Sequence, residues 1–337
     1  MRIFSIPKLL LGLVLFGIIF GWMAFEKQSL PSRELSFGVT FTPRYARYLK
    51  LDWQKTYIQM LDNLQVRNLR LPSYWDVLEP QKRQFNFTET DFLLTEAGKR
   101  GARVILVVGV RQPRWPECHI PGWAKDLPAE EKQKEALILV QKVLERYKDN
   151  KSVWAWQVEN EPFLTAFGEG CSFLDKKFLE RELKLVRSIS KKPVIMTDSG
   201  ELGFWVTSMQ MSDIFGTTVY RKVYGQLLGY ATYPIPPFFY SGKSNLARNL
   251  FAQNNRKTII VELQAEPWFA NGDFVLAKEQ AKIFTTGDLK NYTNFAKKTG
   301  FDEIYFWGVE WWYFMADQGH PEYLDYAKTL FKSETNL

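Results

Sequence analysis

The sequence predicts a (β/α)8 barrel preceded by one N-terminal transmembrane signal anchor. Three observations carry that reading. Eight short β-branched apolar runs alternate with helical segments, no shift in composition interrupts them after Ser36, and an almost unbroken apolar run stands in front of them. Strands separated by long helical segments pair in parallel, because parallel neighbours need crossover connections. Eight such units in about 300 residues suit a closed barrel of roughly 250 residues with insertions. A doubly wound open sheet is the alternative, but no Gly-x-Gly-x-x-Gly follows the first strand.

The elements follow in chain order. Leu9 to Phe25 is apolar throughout, with Arg2 and Lys8 before it and Glu26 and Lys27 after it. At about 1.5 Å per residue this run nearly spans a hydrocarbon core of roughly 30 Å. The basic flank on its N-terminal side keeps the N-terminus in the cytoplasm and sends the rest across. Residues 1–27 are therefore read as the anchor, 28–35 as a linker containing Pro31, and 36–337 as the barrel, membrane-anchored and outside the cytoplasm. The alternative is a cleaved signal peptide and a secreted protein. Gly21-Trp22-Met23-Ala24 offers no good small-x-small cleavage site, which favours the anchor.

Strands are expected at Phe37–Thr40, Asn68–Pro72, Arg103–Gly109, Val153–Glu159, Val194–Thr197, Ile214–Tyr220, Thr258–Glu262 and Glu303–Trp307. Helices are expected at Trp53–Asn63, Glu89–Lys99, Ala129–Tyr147, Asp175–Ser190, Ser244–Gln253, Ala277–Lys298 and Pro321–Lys332. In Ala129–Tyr147 the residues Ala136, Leu137, Leu139, Val140, Val143 and Leu144 fall on one stripe, the mark of a helix packed on one side.

Composition narrows the chemistry. The only histidines are His119 and His320 and the only cysteines are Cys118 and Cys171, too few for a multi-histidine metal centre, a zinc ribbon or an iron–sulfur site. Neither a metal nor an organic cofactor is expected. Both histidines fall in loops and read as solvated. The net charge is +7, two units of it from residues 1–27, and no basic run is interleaved with aromatics. Nucleic-acid binding is therefore unsupported, whereas attraction of the juxtamembrane segment to anionic lipid explains part of the charge.

Active residues of such barrels sit at the C-terminal ends of the strands. The fourth strand ends Val158-Glu159-Asn160-Glu161-Pro162, and the seventh ends Val261-Glu262-Leu263-Gln264-Ala265-Glu266. Strands four and seven face each other across the mouth, and two carboxylates so placed can cleave an acetal. One protonates the departing oxygen and the other attacks the anomeric carbon. Glu266 competes with Glu262 as nucleophile, because the two share parity in an extended segment.

In these features the sequence resembles the clan A glycoside hydrolases, retaining (β/α)8-barrel glycosidases of cellulase and β-galactosidase type, from about Ser36 to Leu330. The resemblance implies that Glu161 of Asn160-Glu161-Pro162 is the acid/base and that Glu262 is the nucleophile. It further implies that Asn160 meets the sugar 2-hydroxyl and that Arg70 of Asn68-Leu69-Arg70-Leu71-Pro72 supports the nucleophile. Tyr220 would stand beside the nucleophile, and Trp307 would form the floor under the sugar. Ser73-Tyr74-Trp75-Asp76-Val77-Leu78-Glu79-Pro80 with Phe85-Asn86-Phe87 looks like the second loop of the β-galactosidase-like branch.

Aromatics after strands, among them Trp75, Trp115, Trp123, Phe163, Phe204, Trp205, Trp268, Trp311 and Trp312, suit a glycan-stacking rim; Trp75, Trp115 and Trp268 are taken as substrate-binding. Cys118 and Cys171 lie in neighbouring rim loops and, outside the cytoplasm, either form a disulfide or remain as two free thiols. The expected activity is retaining hydrolysis of an oligo- or polysaccharide or glycoside. A transglycosylase using the same pair and a non-catalytic glycan-binding barrel are the alternatives.

Overall fold

The computed structural model describes residues 34–165, 168, 170–225, 229–249, 257–268 and 277–332. The expected anchor, Leu9–Phe25, lies outside them. Among the described residues no helix is long and apolar enough to cross a membrane.

Eight parallel strands close a barrel: β1 (Ser36–Thr40), β2 (Asn68–Pro72), β3 (Arg103–Val108), β4 (Val153–Val158), β5 (Val194–Asp198), β6 (Ile214–Val219), β7 (Thr258–Gln264) and β8 (Glu303–Trp307). Sequence neighbours pair throughout, and β8 closes the ring on β1 with Ser36 opposite Glu303 and Thr40 opposite Trp307. All eight sit where the alternation of the sequence puts them, with ends differing by at most two residues. The barrel interior is layered. Ile105, Ala155, Ile195, Ile259, Val261 and Tyr305 form a buried apolar cluster of their own. Towards the C-terminal ends of the strands, Arg70, Gln157, Thr197, Glu262 and Gln264 are also buried. A polar layer over an apolar plug directs the chemistry to the mouth.

One irregularity decides what points there. Along β7, Thr217 and Thr218 of β6 pair with Ile260 and Glu262, while Ile304 and Phe306 of β8 pair with Ile260 and Leu263. Against both neighbours β7 carries one extra residue, a β-bulge at Val261. Ile259 and Val261 face the interior, and strict alternation would turn Glu262 outward. The bulge resets the parity, so Glu262 also faces inward and Leu263 packs in the outer core.

The helices start where local chemistry tells them to. Asp52 caps Trp53–Asn63 by accepting the N–H groups of Gln54 and Lys55 at 3.1 Å, and Asp175 caps Lys176–Ile189 through Phe178 N–H at 2.7 Å. The segment expected as one helix over Ala277–Lys298 is two, Ala277–Ile283 and Thr286–Lys297, because Thr285 and Asp288 form a capping box that begins the second. The helix expected at Ser244–Gln253 begins earlier, at Pro237, and is described over Pro237–Ala247, with proline at its start where no N–H is needed; residues 250–253 lie outside the described residues. Four short helices follow strand ends that read as loops: Pro43–Tyr48, Trp75–Leu78, Val206–Met211 and Val309–Asp317. After β6 an antiparallel hairpin pairs Lys222–Gly225 with Gly229–Thr232.

Candidate active site

Glu262 enters the mouth from β7, 4% exposed. Arg70 Nη1 donates to its Oε1 at 2.6 Å, and the Tyr220 hydroxyl donates to its Oε2 at 2.8 Å. Arg70, fully buried on β2, also donates through Nε to Gln157 Oε1 at 2.7 Å and through Nη2 to Asn160 Oδ1 at 2.6 Å. One guanidinium thus binds the ends of β2, β4 and β7 into a single unit. A buried arginine with four acceptors, the fourth being Thr40 Oγ1 at 3.4 Å, is a satisfied charge, and its ion pair holds the Glu262 carboxyl in place inside protein.

Glu161 reaches the mouth from the other side. The chain leaves β4 through two left-handed residues, Glu159 (φ 57°) and Glu161 (φ 44°). Glu159 does not line the cleft. Its carboxylate accepts the N–H groups of Val110 at 2.8 Å and Arg111 at 2.5 Å, fixing the start of the β3 loop. It fits only because residue 109 is glycine: a Cβ there would stand 2.3 Å from the Glu159 carboxylate. The Asn160 N–H donates to Arg111 carbonyl at 2.7 Å and the Glu161 N–H to Thr197 Oγ1 at 2.8 Å, which locks the turn. Glu161 itself is 7% exposed and receives one hydroxyl, from Thr218 at 3.1 Å. Burial pushes its carboxyl well above the usual range, and the charges of Glu262, Glu117 and Asp198 push the same way.

The residues named from sequence thus divide. Arg70, Asn160, Tyr220, Glu161 and Glu262 converge on one place. Glu266 lies apart in an ion pair with Arg114, whose Nη2 is 3.2 Å from Glu266 Oε2. Gln264 is taken up in holding the hairpin loop, accepting the Arg221 and Lys222 N–H groups at 2.9 Å each. Trp307, 8% exposed, closes the β8 side with the Arg114 guanidinium against its ring, 4.1 Å from the centroid.

Several contributors escaped the sequence reading. Gln157 and Thr218 hold the paired groups, and Arg111 and Glu117 lie beside them, Nε to Oε2 at 2.6 Å. Burial, with the Glu262 charge, raises Glu117 to about 7 against the pull of Arg111. Gln157 carried a legible signal, a polar residue at an inward position of an apolar strand; the loop residues carried none.

The aromatic rim is smaller than expected. Trp75, Trp205, Trp311 and Trp312 have no exposed surface. Trp75 donates its indole N–H to Glu79 Oε2 at 2.9 Å and meets Trp123 edge-on, so it packs the core and offers no face to a sugar. Trp268 is half-buried and edge-on to Tyr220 at 5.3 Å. Trp115 is 82% exposed and Phe204 is also exposed. Trp115 borders a cleft of about 600 Å³ with Arg111, Pro162, Phe163 and Leu174. Cys171 lines the same cleft and is joined to Cys118 by a disulfide, Cα–Cα 5.7 Å, tying the β3 and β4 loops. His119 is not solvated: it is buried against Tyr74 at 4.2 Å, and burial lowers its pKa to about 4. Among the described residues no group of three or more His, Cys, Asp or Glu side chains is placed to hold a metal ion.

Residues 36–263 match the family described as Cellulase (glycosyl hydrolase family 5). A β-galactosidase, LacZ of Lactobacillus acidophilus, is 23% identical over 162 residues, covering 42% of this chain and 24% of its own length. The chain therefore spans about a quarter of that curated relative. Among solved structures, a GH5_18 protein of Bifidobacterium longum subsp. longum superposes with a TM-score of 0.59 at 13% identity, over 81% of this chain and 69% of the other. A cold-adapted β-galactosidase from Rahnella sp. R3 superposes with a TM-score of 0.61 at 11% identity, over 90% and 56%. At such identities the structures speak for the fold.

Proposed function

We propose that the chain, which belongs to glycosyl hydrolase family 5, is a glycoside hydrolase that cleaves O-glycosidic bonds by double displacement with retention of configuration. The supporting observation is the unlike treatment of two carboxyls in one mouth: Glu262 held by Arg70 and Tyr220, Glu161 buried with a single hydroxyl partner. Glu262 attacks the anomeric carbon as Glu161 gives its proton to the departing oxygen, so the C1–O bond breaks and a glycosyl ester of Glu262 forms. Glu161, now a carboxylate, takes a proton from water, whose oxygen attacks C1 and releases Glu262. The raised pKa of Glu161 serves the first step, because an acid must still hold its proton near neutral pH. Asn160, with Oδ1 engaged by Arg70, has its amide N–H groups left to meet a sugar hydroxyl. Trp307, Trp115 and Trp268 offer apolar ring surface to sugar C–H faces.

The domain is placed outside the cytoplasm on a membrane anchor at residues 9–25, a reading supported by the apolar run and in keeping with the disulfide. The direct test of the chemistry is Glu262→Gln. Turnover of aryl β-glycosides should vanish in a folded protein, and a 2-deoxy-2-fluoro glycosyl fluoride should label the wild type on Glu262 alone. Label on Glu266, or undiminished turnover in the variant, overturns the assignment.

A further inference from the structure

We infer that Arg114 closes the far end of the sugar site, so that the enzyme accepts one glycone ring and removes single sugars from chain ends. The inference rests on the assignment of Glu161 as acid and Glu262 as nucleophile.

The barrel order places β4 and β8 opposite each other. Glu161, at the end of β4, protonates the departing oxygen, so the aglycone leaves towards β4. A ring lying against Trp307 of β8 then points the end remote from C1 towards β8 and β1. That direction is walled. Arg114 belongs to the β3 loop, yet its guanidinium crosses to the opposite side. It lies 3.6 Å from the ring centroid of Tyr45 after β1 and 4.1 Å from that of Trp307. It pairs with Glu266 beyond β7, and its Nη2 lies 3.4 Å from Glu310 beyond β8. Glu310 in turn accepts the Thr42 N–H after β1 at 2.5 Å. The backbone is fastened as well, with Arg114 carbonyl 3.2 Å from His119 Nε2.

Four loops therefore meet on one cation whose side chain is only 11% exposed. Glu266 and Glu310 are buried, and so the wall cannot be parted without leaving charge unpaired inside protein. Two carboxylates already engage the guanidinium, which makes it a poor receptor for an anionic substrate. The side towards β4 is different in kind: the cleft of about 600 Å³ bordered by Trp115 and Phe163 gives an aglycone room. A site closed behind the glycone and open ahead of it removes terminal units.

The test uses the full chain with aryl β-glucoside, β-galactoside, β-mannoside and β-xyloside, each beside the aryl glycoside of its β-1,4-disaccharide. For the sugar that turns over, the monosaccharide should release aryl alcohol more than about tenfold faster than the disaccharide. The first sugar product from the disaccharide should be the monosaccharide. In Arg114→Ala the ratio should narrow towards one, and Arg114→Lys should fall between. Release of an intact disaccharide by the wild type at the monosaccharide rate overturns the inference, as does an unchanged ratio in a folded Arg114→Ala. If that variant does not fold, the wild-type product order decides alone. Absence of turnover on every glycoside together with an unlabelled Glu262 overturns the catalytic assignment, and the one-ring inference falls with it. Label on Glu262 with intact disaccharide released removes only the inference.

Discussion

The ends of β4 and β7 carry the same residue type and treat it in opposite ways. At β7 a bulge turns Glu262 inward, where a guanidinium and a phenol hold both oxygens. At β4 two left-handed residues turn Glu161 inward, where it receives a hydroxyl and little else. Arg70 and Tyr220 hold one carboxyl by charge and hydrogen bond, while burial and neighbouring carboxylates push the pKa of the other up, so environment rather than residue identity divides the labour of the two glutamates.

The largest expected break in that contrast comes from Glu161→Gln. It should lower kcat by about 10²- to 10⁴-fold on substrates that need protonation. The loss should be much smaller on a dinitrophenyl glycoside, whose leaving group departs unaided. In the wild type the rate should fall as pH rises through the raised Glu161 pKa, because the acid loses its proton. That descent should be absent from the variant, and parallel pH–rate profiles in the two would refute the role.

A smaller effect should sharpen the β7 side. Tyr220→Phe removes one donor to a carboxylate, a contact worth about 1.5–3 kcal/mol. We expect a roughly tenfold to hundredfold loss in kcat/KM with the fold intact, measured on the same aryl glycosides. A loss confined to KM would mean that Tyr220 binds sugar without steadying the nucleophile.

The smallest effect concerns stability behind β4. Glu182 is fully buried and faces Glu159, and burial together with the other carboxyl raises Glu182 well above the usual range. Burial likewise raises Glu159. In the unfolded chain both titrate at about 4.3. Above that value the folded protein keeps protons that the unfolded chain has released, so this pair favours folding less and less as pH climbs. Glu182→Gln should raise the melting temperature at pH 8 by at least about 2 °C and change it less at pH 5. An equal shift at both values would remove the proton linkage from the account.

The barrel was legible because its pattern is local: alternating runs and amphipathic segments state their own geometry. The pair Glu161 and Glu262 was legible because strand ends can be counted, and Arg70 because a charge inside an apolar strand demands partners. The tryptophans were misread for a related reason. Trp311 and Trp312 lie in Val309–Asp317, a helix buried almost all round, and an all-apolar helix has no stripe to separate it from a sticky loop. Arg114 was illegible because the partners of a long side chain on a loop depend on where other loops come to rest. The parity of β7 was hidden too, since a bulge of one residue leaves no mark in composition.

That extra residue has a consequence for anyone who redesigns or aligns this chain. A strand repeats every two residues, so function at its end is a matter of counting, and β7 contains a deliberate miscount. Deleting Val261 would tidy the ladder on both sides and preserve the residue at the rim. It would leave the carboxylate of Glu262 facing inward as well, because Glu262 would then directly follow Ile260, which packs outward. An alignment that counts through Val261 as an ordinary strand residue, by contrast, would keep the architecture and put the nucleophile on the wrong face.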